Sequence, residues 1–342
     1  MSSEDNNSYE YTSTLSSEIA IPYPIRFWIM LLFYIPSVIC SLFIFYNFIV
    51  QRTLRHALYN HIILLLLIIN FIVQLTNIPW ILNYYRLGYV WLQNPFFCLT
   101  WTVTDEGLFI TITVLFAWAT IERHILIFHD RLVSTKYKLI FFHYLPIIII
   151  LLYCMCYNII VIIVPPCENT YDYTQPICGD ILCYYELQSV AAWDIVVHVL
   201  IPTIIIIFSS IALLLRVIYQ KYRMRRPILW RNHRKMTIQL LSISVMYLAL
   251  CIPTMLMEFI HLCGVPEDSD ATFTSYAEFF AYYGNFFLPF VCAGSMPELK
   301  NTIKKIFPCW RRTRAVAPQT FTLSRRGVGA QTLLSRQTLV HN

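Results

Sequence analysis

Charged residues are scarce in this chain of 342 residues. Asp, Glu, Lys and Arg make up 13% of the sequence, whereas hydrophobic residues make up 58% and aromatic residues 16%. A water-soluble domain of this length does not approach these values, so the composition argues against a soluble enzyme. The sequence also lacks an internal repeat, which argues against a transporter built from inverted repeats.

Seven apolar runs are long enough to cross a bilayer. They lie near residues 27–50, 61–83, 99–121, 139–164, 190–215, 237–260 and 276–295. The sequence therefore predicts an all-α membrane protein, with a seven-transmembrane helix bundle over residues 26–296. An odd number of spans puts the two ends of the chain on opposite sides of the membrane.

Basic residues lie on one side of this predicted bundle. Of the 25 Lys and Arg residues, all except Arg26 and Arg86 lie in the first, third and fifth connections or after the last run. By the positive-inside rule these segments are cytoplasmic, so residues 1–25 form an extracellular tail and the plasma membrane is the expected location. The net charge of +6 is therefore not a sign of nucleic-acid binding. The basic residues lie where anionic lipid and a cytoplasmic partner would contact them.

The extracellular tail carries a glycosylation acceptor at Asn6, in the triplet Asn6-Asn7-Ser8. Residues 1–24 lack an apolar core with a cleavage site, so the first helix is expected to act as an uncleaved anchor.

Cysteines divide between two compartments. Five of the eleven are predicted to be extracellular: Cys98, Cys167, Cys178, Cys183 and Cys263. A bridge from Cys98 to the loop before the fifth helix would hold that loop over the bundle, and Cys183 is the expected partner because it lies closest to that helix. Cys167 and Cys178 would then close a small ring, although the other pairings stay open. Because five is odd, at least one outer cysteine is expected outside these bridges.

The third apolar run begins at Cys98 and ends at Glu122-Arg123-His124. A helix from Cys98 to Arg123 rises about 37 Å, enough to join the oxidising outer face to the inner face. Glu122 can neutralise Arg123 at the membrane edge, and loss of this pair on activation would release Arg123 for a cytoplasmic partner. The alternative is that the pair only solubilises the helix end.

These features resemble the rhodopsin-like (class A) G-protein-coupled receptors over residues 25–310. The resemblance is carried by Cys98, by Trp91 seven residues before it, and by Arg123 in a Glu-Arg-His version of the family's Asp-Arg-Tyr motif. Four prolines also fall where the family bends its second, fifth, sixth and seventh helices: Pro79, Pro202, Pro253 and Pro289. The resemblance implies a receptor that couples to a heterotrimeric G protein through Glu122, Arg123 and His124.

Departures from the family pattern indicate a divergent receptor. Asn70 stands in place of the sodium-site aspartate of helix two, and Leu250-Cys251-Ile252-Pro253 replaces the Cys-Trp-x-Pro motif of helix six. Sodium regulation and a tryptophan toggle are therefore not expected. Tyr282 lies where an opsin would carry its retinal-binding lysine, so neither retinal nor another cofactor is expected.

Asp105 is the main candidate for ligand binding. It lies seven residues after Cys98 and eighteen before Arg123, so helical periodicity places it on the stripe that faces the bundle interior. A carboxylate at this depth costs about 3 kcal/mol, which favours a functional role or a polar partner. In the family that the chain resembles, this position holds a cationic amine. The alternative is a structural hydrogen bond from Tyr282.

Other residues near the outer helix ends complete the predicted site. Glu258 and Glu278 add negative potential, and the rings of Phe109 and Tyr282 can face a cation. The expected ligand is therefore an amine or a basic peptide. Glu106, beside Asp105, adds to this negative potential. Its own contribution to binding should be smaller, because adjacent side chains on an α-helix point about 100° apart and its side chain would turn toward neighbouring helices or lipid.

Residues 297–309 show the amphipathic spacing of a short eighth helix at the bilayer surface, ending at Cys309, a palmitoylation candidate. Residues 310–342 are low in aromatics and rich in Ser and Thr. The resemblance implies a disordered tail that is phosphorylated and bound by arrestin, whereas plain disorder is the alternative.

Two other function classes remain open. A seven-helix transporter or channel without G-protein coupling would be expected to carry acids through several spans, and few occur here. An enzyme would need paired nucleophiles or metal ligands within the membrane. His143, His198 and His261 lack metal-ligand spacing, so they are expected to be interfacial or hydrogen-bonded.

Overall fold

The computed structural model describes residues 21–128, 135–164, 167–179, 183, 187–223, 227–266, 271–296, 299 and 302. Regular structure in these residues is entirely helical, without a strand. The chain divides into two units, Met1–Ile303 and Lys304–Asn342, and all the described residues belong to the first. The predicted sites Asn6 and Cys309, and the predicted tail 310–342, lie outside the described residues.

Within the described part of the chain, six helices are long and apolar enough to cross a membrane. They are α1 (Tyr23–Val50), α2 (Asn60–Leu87), α3 (Pro95–Ile127), α4 (Lys136–Ile163), α5 (Gln188–Tyr219) and α6 (Thr237–Leu262). A short helix, Arg52–His56, joins α1 to α2, and α6 ends a longer helix, Pro227–Leu262. The chain is therefore an α-helical membrane protein, and these six helices correspond to the first six predicted runs.

The seventh run is not one of these six helices. It is interrupted at Tyr282, as α2 is interrupted at Thr76. Helix α7 (Ala271–Ala281) and helix α8 (Tyr283–Ser295) are 11 and 13 residues long, each too short to span a bilayer as a single helix.

The described helices pack in a ring. Helix α1 contacts α2 and α8, α8 contacts α6, α6 contacts α5, α5 contacts α3, and α3 contacts α2, while α4 packs on α3. In the most apolar part of α3, 61% of the residues are buried, compared with 22% in α1 and in α4. Apolar side chains such as Leu32 and Leu152, 68% and 61% exposed, cover the outward faces of α1 and α4 and suit contact with lipid.

Proline in α8 frees a backbone carbonyl that side chains of α2 satisfy. Pro289 has no N–H to donate to the carbonyl of Asn285, four residues earlier. Gln74 Nε2 donates to this carbonyl oxygen at 2.8 Å, and Asn70 Nδ2 donates to it at 3.1 Å. The neighbouring carbonyl of Phe286 accepts from Ser37 Oγ at 2.8 Å. These bonds tie α8 to α1 and α2 and satisfy backbone carbonyls within the helix.

Two disulfides hold the loop between α4 and α5, and their pairing differs from the prediction. Cys98 is bonded to Cys178, and Cys167 to Cys183, so the predicted Cys98–Cys183 bridge is wrong. Cys263 is an exposed free thiol, which confirms that one outer cysteine stays outside the bridges.

The reason for the pairing lies in the course of the loop. Tyr84 Oη donates to the carbonyl of Thr174 at 2.8 Å, and the N–H of Val90 donates to the carbonyl of Tyr173 at 2.9 Å. These bonds lay the middle of the loop across the end of α2 and bring Cys178 beside the start of α3. Closeness to α5 along the sequence, the basis for choosing Cys183, does not determine which cysteine reaches α3.

Candidate functional site

A cavity of about 520 Å³ lies between α2, α3, α6, α7 and α8, and residues of the α4–α5 loop contribute to its wall. All five residues predicted to bind a ligand line it: Asp105, Phe109, Glu258, Glu278 and Tyr282. Loop residues Gln175, Pro176, Ile177 and Gly179 also line it, just before and after the disulfide at Cys178. The Cys98–Cys178 bridge therefore fixes part of the cavity wall.

A π-helical turn, Val103–Gly107, interrupts α3 at the cavity. Its wider turn changes the angle between successive side chains, so Glu106 lines the cavity together with Asp105. The prediction that Glu106 turns away from the site is therefore wrong, because it assumed α-helical spacing throughout.

Helix α4 supports this turn. Gly107 packs so closely on Asn158 that a Cβ atom at this position would lie 3.0 Å from Asn158 Cγ. The carbonyl of Gly107 accepts hydrogen bonds from Thr111 Oγ1 at 2.7 Å and from Asn158 Nδ2 at 3.3 Å. The two donors therefore satisfy the carbonyl at the end of the π-helical turn, and the missing side chain of Gly107 lets Asn158 approach it.

Asp105 is held by neutral donors from two directions. Tyr282 Oη donates to its two carboxylate oxygens at 3.0 and 3.3 Å, and Asn77 Nδ2 donates to Oδ1. Trp101 Nε1 in turn donates to Asn77 Oδ1 at 2.8 Å and fixes the orientation of that amide. The hydrogen bond from Tyr282 that was the alternative to a ligand role is thus present. An ionised carboxylate has about four acceptor sites, so these bonds leave capacity for a cation.

Four carboxylates share this cavity, and its described lining contains no Lys, Arg or His side chain. Glu106 interacts electrostatically with the other three, Asp105, Glu258 and Glu278. Asp105 and Glu106 are half-buried, whereas Glu258 and Glu278 are exposed. Because a low-dielectric cavity wall focuses the field of the charges beside it, this lining favours positive over negative charge inside the cavity.

At the other end of α3, two of the three predicted coupling residues are closed off from solvent. Glu122 is 2% exposed and Arg123 is 1% exposed. The Glu122 carboxylate contacts His143 Nδ1, and His143 Nε2 lies 3.2 Å from His61 Nδ1. The third residue, His124, lies 2.8 Å from the carbonyl of Ser209 through Nε2.

The His61–His143–Glu122 chain was missed from the sequence. Its members lie on α2, α4 and α3, with no local spacing that could reveal them.

A second histidine–carboxylate pair joins α4 to α5. His198 Nδ1 lies 2.7 Å from Asp194 Oδ1, which also accepts from Tyr157 Oη at 2.7 Å. Tyr153 Oη lies 2.8 Å from His198 Nε2. The interpretation of His143 and His198 as hydrogen-bonded residues is therefore confirmed. Among the described residues, no group of three or more His, Cys, Asp or Glu side chains could hold a metal ion.

No protein-family model matches this chain, and no curated protein is similar to it. The fold and the site together define a disulfide-bonded, multi-helix membrane protein with an acidic cavity between its helices. What this cavity does must be argued from its geometry.

Proposed function

We propose that this protein is a divergent rhodopsin-like G-protein-coupled receptor that binds a cationic ligand in the acidic cavity and activates a heterotrimeric G protein. The observation that carries the proposal is the composition of the cavity: its described lining holds four carboxylates and no basic side chain. A cation about 4 Å from Asp105 gains about 4 kcal/mol at an effective dielectric constant of about 20. That energy is large enough to dominate recognition of an amine or a basic peptide end.

The proposal treats α7 and α8 as the two halves of a seventh membrane span. Together they cover residues 271–295, which corresponds to a rise of about 37 Å. The hydrogen bonds from α2 to the carbonyl of Asn285 support this interpretation, since they satisfy the backbone within the span.

Beyond α8, Leu299 is fully buried and Thr302 Oγ1 lies 3.2 Å from Gln51 Nε2 at the end of α1. These contacts favour a short eighth helix that begins against the inner end of the bundle. The N-terminal tail is then extracellular, and the cavity opens toward the outside of the plasma membrane.

Helix α3 connects the cavity to the proposed coupling end. Asp105 and Glu122 are seventeen residues apart, about 25 Å along the helix. Between them, Thr113 Oγ1 lies 2.6 Å from the hydroxyl of Tyr247 on α6, a residue that also lines the cavity. A ligand that repositions Tyr247 would therefore shift α6 against α3, and such a shift could uncover Arg123 for a G protein.

A transporter or channel remains the second candidate, and the packing below the cavity supports a receptor instead. Leu115, Ala119 and Leu240, each at most 1% exposed, belong to a continuous apolar core. A transport path needs polar side chains or water at this depth. Apolar packing at this depth favours a protein that transmits a signal without passing its ligand.

The proposal is tested with the full chain expressed at the surface of cells. We expect a set of small amines and short basic peptides to contain agonists that activate G proteins, and Arg123→Ala to remove the response without removing ligand binding. Uptake of a cationic solute without G-protein activation would instead support the transporter.

A further inference from the structure

The lining of the cavity changes from polar to apolar along α3. Nearer the start of this helix, the residues that line the cavity are Thr102, Asp105 and Glu106. The lining residues that follow on the same helix are Phe109, Ile112 and Phe116. Phe109 and Ile112 are only half-buried, although both pack against the apolar core. Helix α3 therefore presents carboxylates to one part of the cavity and apolar side chains to the next.

Helix α6 shows the same order, read from its end toward its start. Glu258 and Thr254 line the polar part of the cavity, whereas Met246 and Ile243 line the apolar part. Helix α8 adds the apolar side chain of Leu288. We call the apolar part the apolar shaft, and its lining includes Phe109, Ile112, Phe116, Ile243, Met246 and Leu288.

The length of the shaft follows from each helix separately. Phe116 lies eleven residues after Asp105 on α3, which corresponds to about 15 Å of helix. On α6, Ile243 likewise lies eleven residues before Thr254. Three residues further along the two helices, Ala119 and Leu240 are each 1% exposed and belong to the apolar core. The shaft is therefore about 15 Å long and ends in that core.

Polar groups beside the shaft are few and partly used by the bundle. The hydroxyl of Tyr247 lies 2.6 Å from Thr113 Oγ1, and Asn70 Nδ2 donates to the carbonyl of Asn285 at 3.1 Å. Asn70 Oδ1 has no hydrogen-bond partner. A single acceptor does not replace the hydration of a charged group, so the shaft suits an apolar group.

From this arrangement we infer that the ligand is an amine with an apolar tail of about 10 to 12 carbons, its charged nitrogen held by Asp105 and its tail filling the apolar shaft. The inference rests on the proposed function, because it names the class of cationic ligand that the proposed receptor recognises. The cavity volume of about 520 Å³ lies within the range of small-molecule sites. Each methylene that enters the shaft should raise the affinity about fourfold, because it leaves water for an apolar surface.

The test uses the purified full-length protein in lipid discs and a series of labelled n-alkylamines with about 4 to 16 carbons. Binding is measured by equilibrium dialysis, and empty discs of the same lipid measure the amine that only partitions into the bilayer. This measurement does not depend on G-protein coupling. We expect the affinity to rise about fourfold per carbon and to stop rising at about 12 carbons, where the tail reaches the end of the shaft.

Variants within the shaft should move this limit in opposite directions. Ile112→Trp places a larger ring seven residues beyond Asp105, about 10 Å along α3, and should lower the limit to about eight carbons. Phe116→Leu removes volume at the far end and should extend the limit to longer amines, so the inference stays testable if the first variant does not fold.

Two further variants are controls. Ile148→Trp makes the same change at a residue of α4 that is 51% exposed and does not line the cavity, so the limit should stay the same. Asp105→Asn should weaken all the amines by a similar factor and also leave the limit unchanged.

Four results would overturn the inference: no binding of any amine, an affinity that does not depend on tail length, a rise that continues to 16 carbons, or a limit that neither shaft variant moves. The proposed function would survive each of these if another cationic ligand still activated G proteins through Asp105 and Arg123. Conversely, a limit that both variants move, without G-protein activation by any amine, would support the shaft and reject the receptor.

Discussion

The two ends of α3 use acidic residues in opposite ways. Asp105 faces an open cavity, where only neutral groups, Asn77 and Tyr282, donate to it. Glu122 is 2% exposed and contacts His143, a side chain that can itself carry a positive charge. A carboxylate that can still accept hydrogen bonds in an open cavity can bind a ligand. A buried carboxylate in contact with a basic side chain can take a new partner only after that contact breaks. This contrast is the reason for proposing recognition at one end of the helix and switching at the other.

The largest expected effect is at the switching end. Arg123→Ala should abolish G-protein activation while surface expression and ligand binding persist, because Arg123 is the residue proposed to meet the G protein. Agonist-stimulated nucleotide exchange measures this effect. Arg216→Ala, which removes an exposed basic residue of α5, is the control and should keep most of the signal. Equal signalling by the Arg123 variant and the wild type would contradict the proposed switching role of this end of α3.

The next effect concerns the partner of Glu122. His143→Phe keeps an aromatic ring but leaves a buried carboxylate without this contact, which should cost about 3 kcal/mol of stability. It should also raise ligand-independent signalling, since the inner end of α3 is then less constrained. Thermal unfolding and basal G-protein activation are the two measurements.

A matched control is available between α4 and α5. His198→Phe breaks the contact with Asp194, another buried histidine–carboxylate pair that the proposed coupling residues do not include. It should lower Tm without raising basal activity. The same rise in basal signalling in both variants would show that loosening the bundle anywhere activates the protein.

The outer end depends on the disulfide that fixes the cavity wall. Cys98→Ser and Cys178→Ser should each cost about 2 to 5 kcal/mol and reduce surface delivery and ligand binding to a similar extent. Cys263→Ser removes a free thiol and should have little effect. Peptide mapping of the oxidised protein checks the pairing directly, and a peptide linking Cys98 to Cys183 would contradict it.

The smallest effect is expected in the loop above the cavity. Hydrogen bonds from the hydroxyl and the N–H of Thr174 hold the pKa of Asp172 below its usual range. A lowered pKa means that the ionised form stabilises the fold at neutral pH, and that this contribution is lost as the pH falls below about 4. Asp172→Asn should flatten the dependence of Tm on pH in that acidic range and change little at pH 7. An unchanged acid dependence in this variant would contradict the expectation.

Much of the outer end could be predicted from the sequence. The hydrophobic runs predicted the first six helices. The spacing of Asp105 from Cys98 and Arg123 was enough to predict that it faces the interior of the bundle. Glu258 and Glu278 line the same cavity because each lies near the outer end of a helix that faces it.

The remaining features depend on contacts between distant segments. Glu106 turns toward the cavity because of a π-helical turn that Asn158 of α4 supports. The partner of Cys98 is decided where the loop crosses the end of α2, and His143 meets Glu122 from another helix. In each case the deciding contact comes from a residue far away in the chain, which local spacing does not record.

The central claim is that Asp105 binds a positively charged group of the ligand. The most direct measurement is the potency of a cationic agonist on Asp105→Asn, a change that removes the charge while keeping the size of the side chain. Potency should fall about 100-fold, or about 2.7 kcal/mol, at equal surface expression. Glu106→Gln should lower it by about tenfold, since Glu106 also lines the cavity, and Asp172→Asn should leave it unchanged. If Asp105→Asn kept full potency, Asp105 would be a structural acceptor for Asn77 and Tyr282, and the cavity would not be a site for cations.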